Sequence, residues 1–259
     1  MLAYGEKATI GFIGPPRTNG TVLHEAFRLA PPGVTWCWST MGLPEFGQLE
    51  FDQALGLAEL CAKELANRQV SVIVMTGIPL ISSKGAPYHE RLERELSDAI
   101  GRRVPLTTDI HCVLATFAAL KLRRIAVASI YQRYIQDNMI RYFEHYGVRT
   151  LADEALSYAL ADCMTRPTMT TAYETSQRAL QRAPDVDGLY ISCPQWPVID
   201  HIETLERESG KPVVTHLSAI MWGALSRIGV RAPLSGYGKL LAEWPNWAEV
   251  EAAAAITGL

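Results

Sequence analysis

The chain has 259 residues, 48% hydrophobic and 20% charged, with 24 Lys and Arg against 27 Asp and Glu. That balance excludes a disordered or coiled-coil protein, and the net charge of −3 leaves no basic footprint for nucleic acid. No apolar run reaches the roughly 18 residues of a membrane helix and Met1 to Lys7 carries no leader pattern, so a cytoplasmic protein of one large or two smaller domains is expected.

Ile10 to Ile13 reads as a strand ended by Gly14-Pro15-Pro16, and Val34 to Ser39 as the next strand. Asp52 to Arg68 has Leu55, Ala58, Ala62 and Leu65 at helical spacing. Val70 to Met75 is a continuous apolar run, as in a strand buried on both faces. Then follow a helix over Pro87 to Ile100, a strand over Val104 to Thr108 and a helix over His111 to Leu120. The pattern repeats with a strand over Arg124 to Ser129, a helix over Gln132 to His145 and a strand over Val148 to Leu151. The remainder reads as a helix over Thr168 to Ala183, a strand over Gly188 to Ser192 and a helix over Val198 to Ser209. A strand over Val213 to Thr215 and a helix over Ser218 to Arg227 complete it. Trp244 to Leu259 is a tail in which Glu249 to Ala255 suits a helix.

This alternation predicts an α/β fold of two similar lobes. Each lobe is expected to hold a parallel sheet of about four to five strands flanked by helices, with the active site in the cleft between the lobes. The lobes are placed at 1–118 plus 215–259 and at 119–214. Loops leaving the carboxyl ends of strands build the sites of parallel sheets. Two such loops are counterparts: Thr76-Gly77-Ile78-Pro79 and Ser192-Cys193-Pro194-Gln195. Others are Gly14-Pro15-Pro16, Thr107 to His111, Tyr131 to Tyr134 and Thr215-His216. Of the six histidines, strand-end position singles out His216. The five cysteines, Cys37, Cys61, Cys112, Cys163 and Cys193, are widely spaced and form no metal-ligand pattern. Cys193 at a strand tip is near a cleft and helix termini that tune a thiol. Its position alone fits a buried strand-end residue equally well. Gly236-Tyr237-Gly238 lacks the setting of a dinucleotide loop. No metal or cofactor is expected.

Several stretches together carry a resemblance: Ile10 to Pro16, Lys84-Gly85, Thr107-Thr108, Arg123 to Ala128 leading to Tyr131, Asp187 to Cys193, Gly210 to Val214, Trp222 and Gly236 to Gly238. They resemble the aspartate/glutamate racemase superfamily from Ile10 to Leu240. Within it the chain is similar to the arylmalonate decarboxylase family, with maleate cis-trans isomerases as near relatives. Members that racemise or isomerise carry a cysteine at both tips. The decarboxylases resemble this chain, with glycine first (Gly77) and cysteine second (Cys193). A two-base racemase moves a proton between faces, whereas departing CO2 leaves a carbanion that needs one acid. The resemblance makes Cys193 that acid and Tyr131 a donor to the enediolate oxygens, which require donors already in place.

Two departures stand out. The family's Thr-Ser pair after the first glycine is Ile78-Pro79 here; Thr76, Ser82 and Ser83 are the nearby hydroxyls, the Ile78 N–H remains and Pro79 has none. The glycines after the cysteine are replaced, and Cys193-Pro194-Gln195-Trp196-Pro197 is similar to the maleate isomerase loop. Gln195 reads either as an amide donor to a carboxylate or as a loop side chain facing water. Apolar walls of Pro15, Ile78, Leu80, Trp196 and Val198 are expected to destabilise a carboxylate but not CO2.

The expected function is cofactor-independent decarboxylation of a substituted malonate or similar diacid. Cys193 and Tyr131 are the catalytic candidates; Pro15, Thr76, Gly77, Ile78, Pro79, Pro194 and Gln195 are the substrate-binding ones. The alternative is a cis-trans isomerase or racemase of a small carboxylic acid with a Cys193 thiolate, and the third reading is a non-enzymatic dicarboxylate binder. The expected partner is a small mono- or dicarboxylate rather than nucleic acid or membrane, and an oligomer is left open.

Overall fold

A computed structural model describes residues 4–251. Among the described residues, eight strands form two sheets. The first holds β1 (Ala8–Pro16), β2 (Val34–Leu43), β3 (Val72–Met75) and β4 (Leu106–Thr108), in the order β2-β1-β3-β4. The second holds β5 (Arg124–Ser129), β6 (Arg149–Ala155), β7 (Gly188–Ile191) and β8 (Val213–Thr215), in the order β6-β5-β7-β8. Every pairing is parallel, and the second sheet repeats the strand order of the first. Parallel neighbours need long crossovers, which the intervening helices supply. The inner strands are apolar along their length because helices cover both faces; every residue of β3 and β7 is buried.

The helices are α1 (Thr21–Leu29), α2 (Gln48–Leu55), α3 (Ala58–Asn67), α4 (Ile78–Ser82), α5 (Tyr88–Ala99) and α6 (Asp109–Ala119). They continue with α7 (Arg133–His145), α8 (Met169–Arg182), α9 (Ile202–Ser209), α10 (His216–Arg227) and α11 (Lys239–Glu243). The single helix expected over Asp52 to Arg68 is two, divided at Gly56-Leu57. Gly56 is a poor helix former, and the break lets α2 pack on β2 and α4 while α3 reaches β3 and α5. The helix expected from Val198 starts as a 3₁₀ turn, Ile199–His201, before α9. β6 begins at Arg149 and runs on to Ala155, and α1 and α4 occupy stretches where no element is expected. In the tail, 247–251 is helical with Trp247 and Val250 buried; residues 252–255 of the expected Glu249 to Ala255 helix lie outside the described residues. Among the described residues no helix is long and apolar enough to cross a membrane.

Strand register decides what meets at the cleft. Met75 of β3 is level with Ile13 of β1 and Thr108 of β4. Ile191 of β7 is level with Ala128 of β5 and Thr215 of β8. The residues that follow, Thr76-Gly77 and Asp109 on one sheet and Ser192-Cys193 and His216 on the other, therefore leave their sheets side by side.

Helix α10 joins the two halves. It follows β8 yet packs on α6, β3 and β1 of the first sheet. Every residue from His216 to Leu225 is buried, which suits its apolar circumference. A Cβ at Gly223 would lie 2.6 Å from Cys112 Sγ and 2.9 Å from Cys112 Cβ, so the two helices approach through a glycine. Gly223→Ala is expected to lower stability by about 1–3 kcal/mol despite alanine's better helix propensity. Denaturant unfolding checks this, and Cys112→Ala should recover part of the loss.

Candidate active site

The carboxyl ends of the two sheets enclose a cavity with about 520 Å³ of empty space, counting its open mouth. The first sheet contributes Pro15, Thr76, Gly77, Ile78 and Pro79 to its lining; the second contributes Tyr131, Cys193, Pro194 and Gln195. All nine candidates thus meet in one place. Among the described residues no Lys or Arg lines the cavity. Pro15, Ile78 and Leu80 form wall as expected, joined by Phe12, Leu43, Phe46 and Leu160. Trp196 and Val198 do not. Trp196 is buried with its indole N–H donating to Thr171 Oγ1 at 3.2 Å, and the Val198 N–H donates to Glu25 Oε1 at 2.7 Å. Both are turned into the packing beneath the loop.

At the first tip, Gly77 has φ 135°, and a Cβ there would sit 3.0 Å from Pro15 Cγ. Glycine alone takes this conformation without strain. The tip is held by Asp109, the first residue of α6, which is fully buried. Its Oδ2 accepts the N–H of Gly77 at 2.6 Å and of Ile78 at 3.1 Å; Oδ1 accepts the N–H of Ile110 at 2.7 Å. Burial pushes the Asp109 carboxyl up to about 7, against the opposing pull of those N–H donors.

This arrangement corrects the expected donor set. The Ile78 N–H is already committed to Asp109. The Thr76 hydroxyl donates to the Ile13 carbonyl at 2.9 Å. Ser83 donates to Leu80 O at 2.8 Å and Ser82 to Pro79 O at 3.5 Å. Backbone carbonyls capture all three hydroxyls: Ser82 and Ser83 bond three residues back, as short polar side chains in a helix commonly do, and Thr76 bonds across to β1.

At the second tip Cys193 has φ 88°, a left-handed conformation that costs a non-glycine residue on the order of 1–3 kcal/mol. Its side chain lines the cavity although the residue is only 6% exposed. Burial opposes ionisation of this thiol. The neighbouring Cys163 thiol, Gln195 N–H and Tyr131 hydroxyl favour the thiolate and bring it below its ordinary pKa, while the Cys163 Sγ donates to the Ala159 carbonyl at 3.3 Å. Cys163 is pushed the other way, first by its bond to Cys193 and then by burial. Of the two thiols, Cys193 is therefore the more readily ionised. Burial, followed by the charge at Cys193, raises Tyr131 well above a normal phenol. A second thiol, Cys163, lines the cavity with Cys193. Cys163 sits on the 3₁₀ turn Asp162–Met164, in a stretch without periodicity, and no sequence signal marks it.

Helix α1 clamps the second tip from the first half. Gln195 donates to Asn19 Oδ1 at 3.2 Å, so its amide does not face water; the residue is 4% exposed. Glu25 accepts the N–H groups of Val198 and Ile199, and Arg28 pairs with Asp200 at 2.5 Å. Burial lifts the Glu25 carboxyl to about 7. His216 lines the cavity from the start of α10, with Nε2 3.4 Å from Asp109 Oδ2. Among the described residues, no group of three or more His, Cys, Asp or Glu is placed to hold a metal ion.

A profile of the arylmalonate decarboxylase family matches residues 10–241. The chain belongs to the arylmalonate decarboxylase family. Arylmalonate decarboxylase of Bordetella bronchiseptica is 29% identical over 236 residues, covering 91% of this chain and 97% of that protein. A maleate isomerase of Nocardia farcinica is 26% identical over 191 residues, covering 71% and 74%. The fold superposes on a liganded Gly-to-Cys, Cys-to-Ser double mutant of arylmalonate decarboxylase with a TM-score of 0.84 at 26% identity, covering 92% of this chain and all of that one. The two four-stranded parallel sheets flanked by helices are the architecture of this decarboxylase family.

Two variants probe the electrostatics of this family member. Cys163→Ala removes a donor from the Cys193 sulfur, so the pH midpoint of Cys193 alkylation by iodoacetamide should rise. An unmoved midpoint would show that the Cys163 thiol does not tune it. Asp109 binds its proton more tightly in the folded state, so its contribution to stability is lost as pH rises from about 4 to about 7. The melting temperature of Asp109→Asn relative to the parent protein should therefore climb across that window.

Proposed function

We propose that the protein is a cofactor-independent decarboxylase of a substituted malonate or similar small diacid. One observation carries the reading: Cys193 is at the second tip of an apolar cavity whose first tip is the side-chain-free Gly77. One substrate carboxylate is pressed against apolar wall with no Lys or Arg among the described lining residues to compensate it. That environment raises the energy of the carboxylate and not of neutral CO2. As the C–C bond breaks, its electron pair stays on the α-carbon and is shared with the remaining carboxylate as an enediolate. The Cys193 thiol then gives its proton to that carbon. The resulting thiolate is held by the Gln195 N–H, the Tyr131 hydroxyl and the Cys163 thiol, and a solvent proton restores it. This step needs Cys193 protonated when the acid binds, so the lowered thiol pKa counts toward the second reading below. Protonation from one side makes one enantiomer.

A second reading has its own support. The same donors suit a resting Cys193 thiolate that adds to a double bond, as in cis-trans isomerisation, and the Cys193-Pro194-Gln195 loop is similar to that of maleate isomerases. Phenylmalonate in deuterated water should release CO2 and give phenylacetate with one deuterium at the α-carbon. Cys193→Ala should slow release by roughly 10²–10⁴-fold with the fold intact. Silence across a malonate panel, with maleate converted to fumarate, would replace decarboxylation by isomerisation.

A further inference from the structure

The first-tip half of the cavity lacks the donors an anionic substrate requires. Thr76 and Ile78 donate to protein groups, and Pro79 has no N–H. One buried side-chain nitrogen there remains unpartnered among the described residues. His216 is 2% exposed, lines the cavity, and its Nε2 makes no hydrogen bond. A buried nitrogen left without a partner is destabilising, so a ligand that satisfies it gains correspondingly.

The hydroxyl chain behind the ring fits the tautomer with its proton on Nε2. Ser192 Oγ donates to the Tyr190 hydroxyl at 3.4 Å. That hydroxyl is left to donate to His216 Nδ1, also at 3.4 Å. The ring is neutral, because burial drives its pKa down to about 3. With Nδ1 accepting, the proton is on Nε2. Asp109 Oδ2 faces Nε2 at 3.4 Å and already takes two backbone N–H groups at shorter distances. His216 also opens α10, whose Thr215–Ser218 capping box leaves the positive end of the helix dipole beside the ring.

We propose that His216 is a substrate-binding residue whose Nε2–H takes a substrate carboxylate at the first tip. The assignment rests on the carboxylic-acid reading of the cavity and names the group that holds the acid. Fixed through Tyr190 and Ser192, the ring presents its donor without reorganisation when the acid enters. It favours a ligand with a carboxylate on the α10 side of the cleft over an ester or amide of the same shape.

Calorimetric titration of malonate and phenylacetate tests this on the full chain and on two variants. His216→Gln keeps an N–H donor at similar reach and should bind within about threefold of the parent. His216→Leu removes it and should weaken binding by about tenfold or more. Equal affinity in a His216→Leu protein that melts like the parent overturns the proposal, as does equal weakening in both variants or failure of both acids to bind the parent. Nitrogen-15 imidazole spectra of the unaltered protein give an independent readout. The Nε2–H tautomer should be present at neutral pH and its proton should shift downfield with bound acid; an Nδ1–H tautomer or an unmoved resonance also overturns it. CO2 release is scored alongside. Release with an indifferent His216 removes this assignment alone; acid held through His216 without release removes decarboxylation alone.

Discussion

A fully buried carboxyl, Asp109, joins the two halves of the site. It receives three backbone N–H groups, two of them from the turn at Gly77-Ile78, and faces His216 from the other sheet. Those bonds keep the first tip in a conformation open only to glycine, which leaves space where a side chain would stand. Because desolvation outweighs the N–H donors, Asp109 titrates near neutrality rather than as a fixed anion. A permanent negative charge at this depth would repel a carboxylate substrate; a carboxyl that retains its proton does so far less.

Asp109 and His216 are counterparts in the internal repeat. Each is the first residue of the helix that follows the last strand of its sheet, and each is preceded by a capping threonine, Thr108 or Thr215. The shared strand order brings equivalent positions face to face, so the repeat generates the cleft. The chemistry is asymmetric within that frame. One side carries a glycine turn and a capped carboxyl, the other a thiol beside Cys163, Gln195 and Tyr131 whose loop is clamped from behind by α1. The absence of lysine and arginine from the described lining gives a carboxylate entering the cleft little compensation except directed N–H and O–H groups.

Much of the architecture was legible in the residues. Continuous runs such as Val72–Met75 and Gly188–Ile191 announce strands covered on both faces, and their spacing requires crossover helices. Gly77, Tyr131 and Cys193 could be placed at strand ends for the same reason. Of the short helices, α4 was not legible, because it begins at a glycine-proline turn and runs only five residues; α1 carries Val22, Ala26 and Leu29 at helical spacing, so it was legible although the expected elements omit it. The break at Gly56-Leu57 was hidden because apolar spacing continues across it.

By itself the sequence determined the repeated parallel α/β order and the placement of a glycine and a cysteine at matching strand tips, since both follow from local hydrophobic pattern. Only the tertiary structure decided which polar groups are free. Thr76, Ser82, Ser83 and the Ile78 N–H are occupied by partners up to 63 residues away, while His216 Nε2 is left open and Cys163 is brought to Cys193. Hydrogen-bond commitment depends on distances between strand ends that are remote in the chain, and no periodicity encodes it.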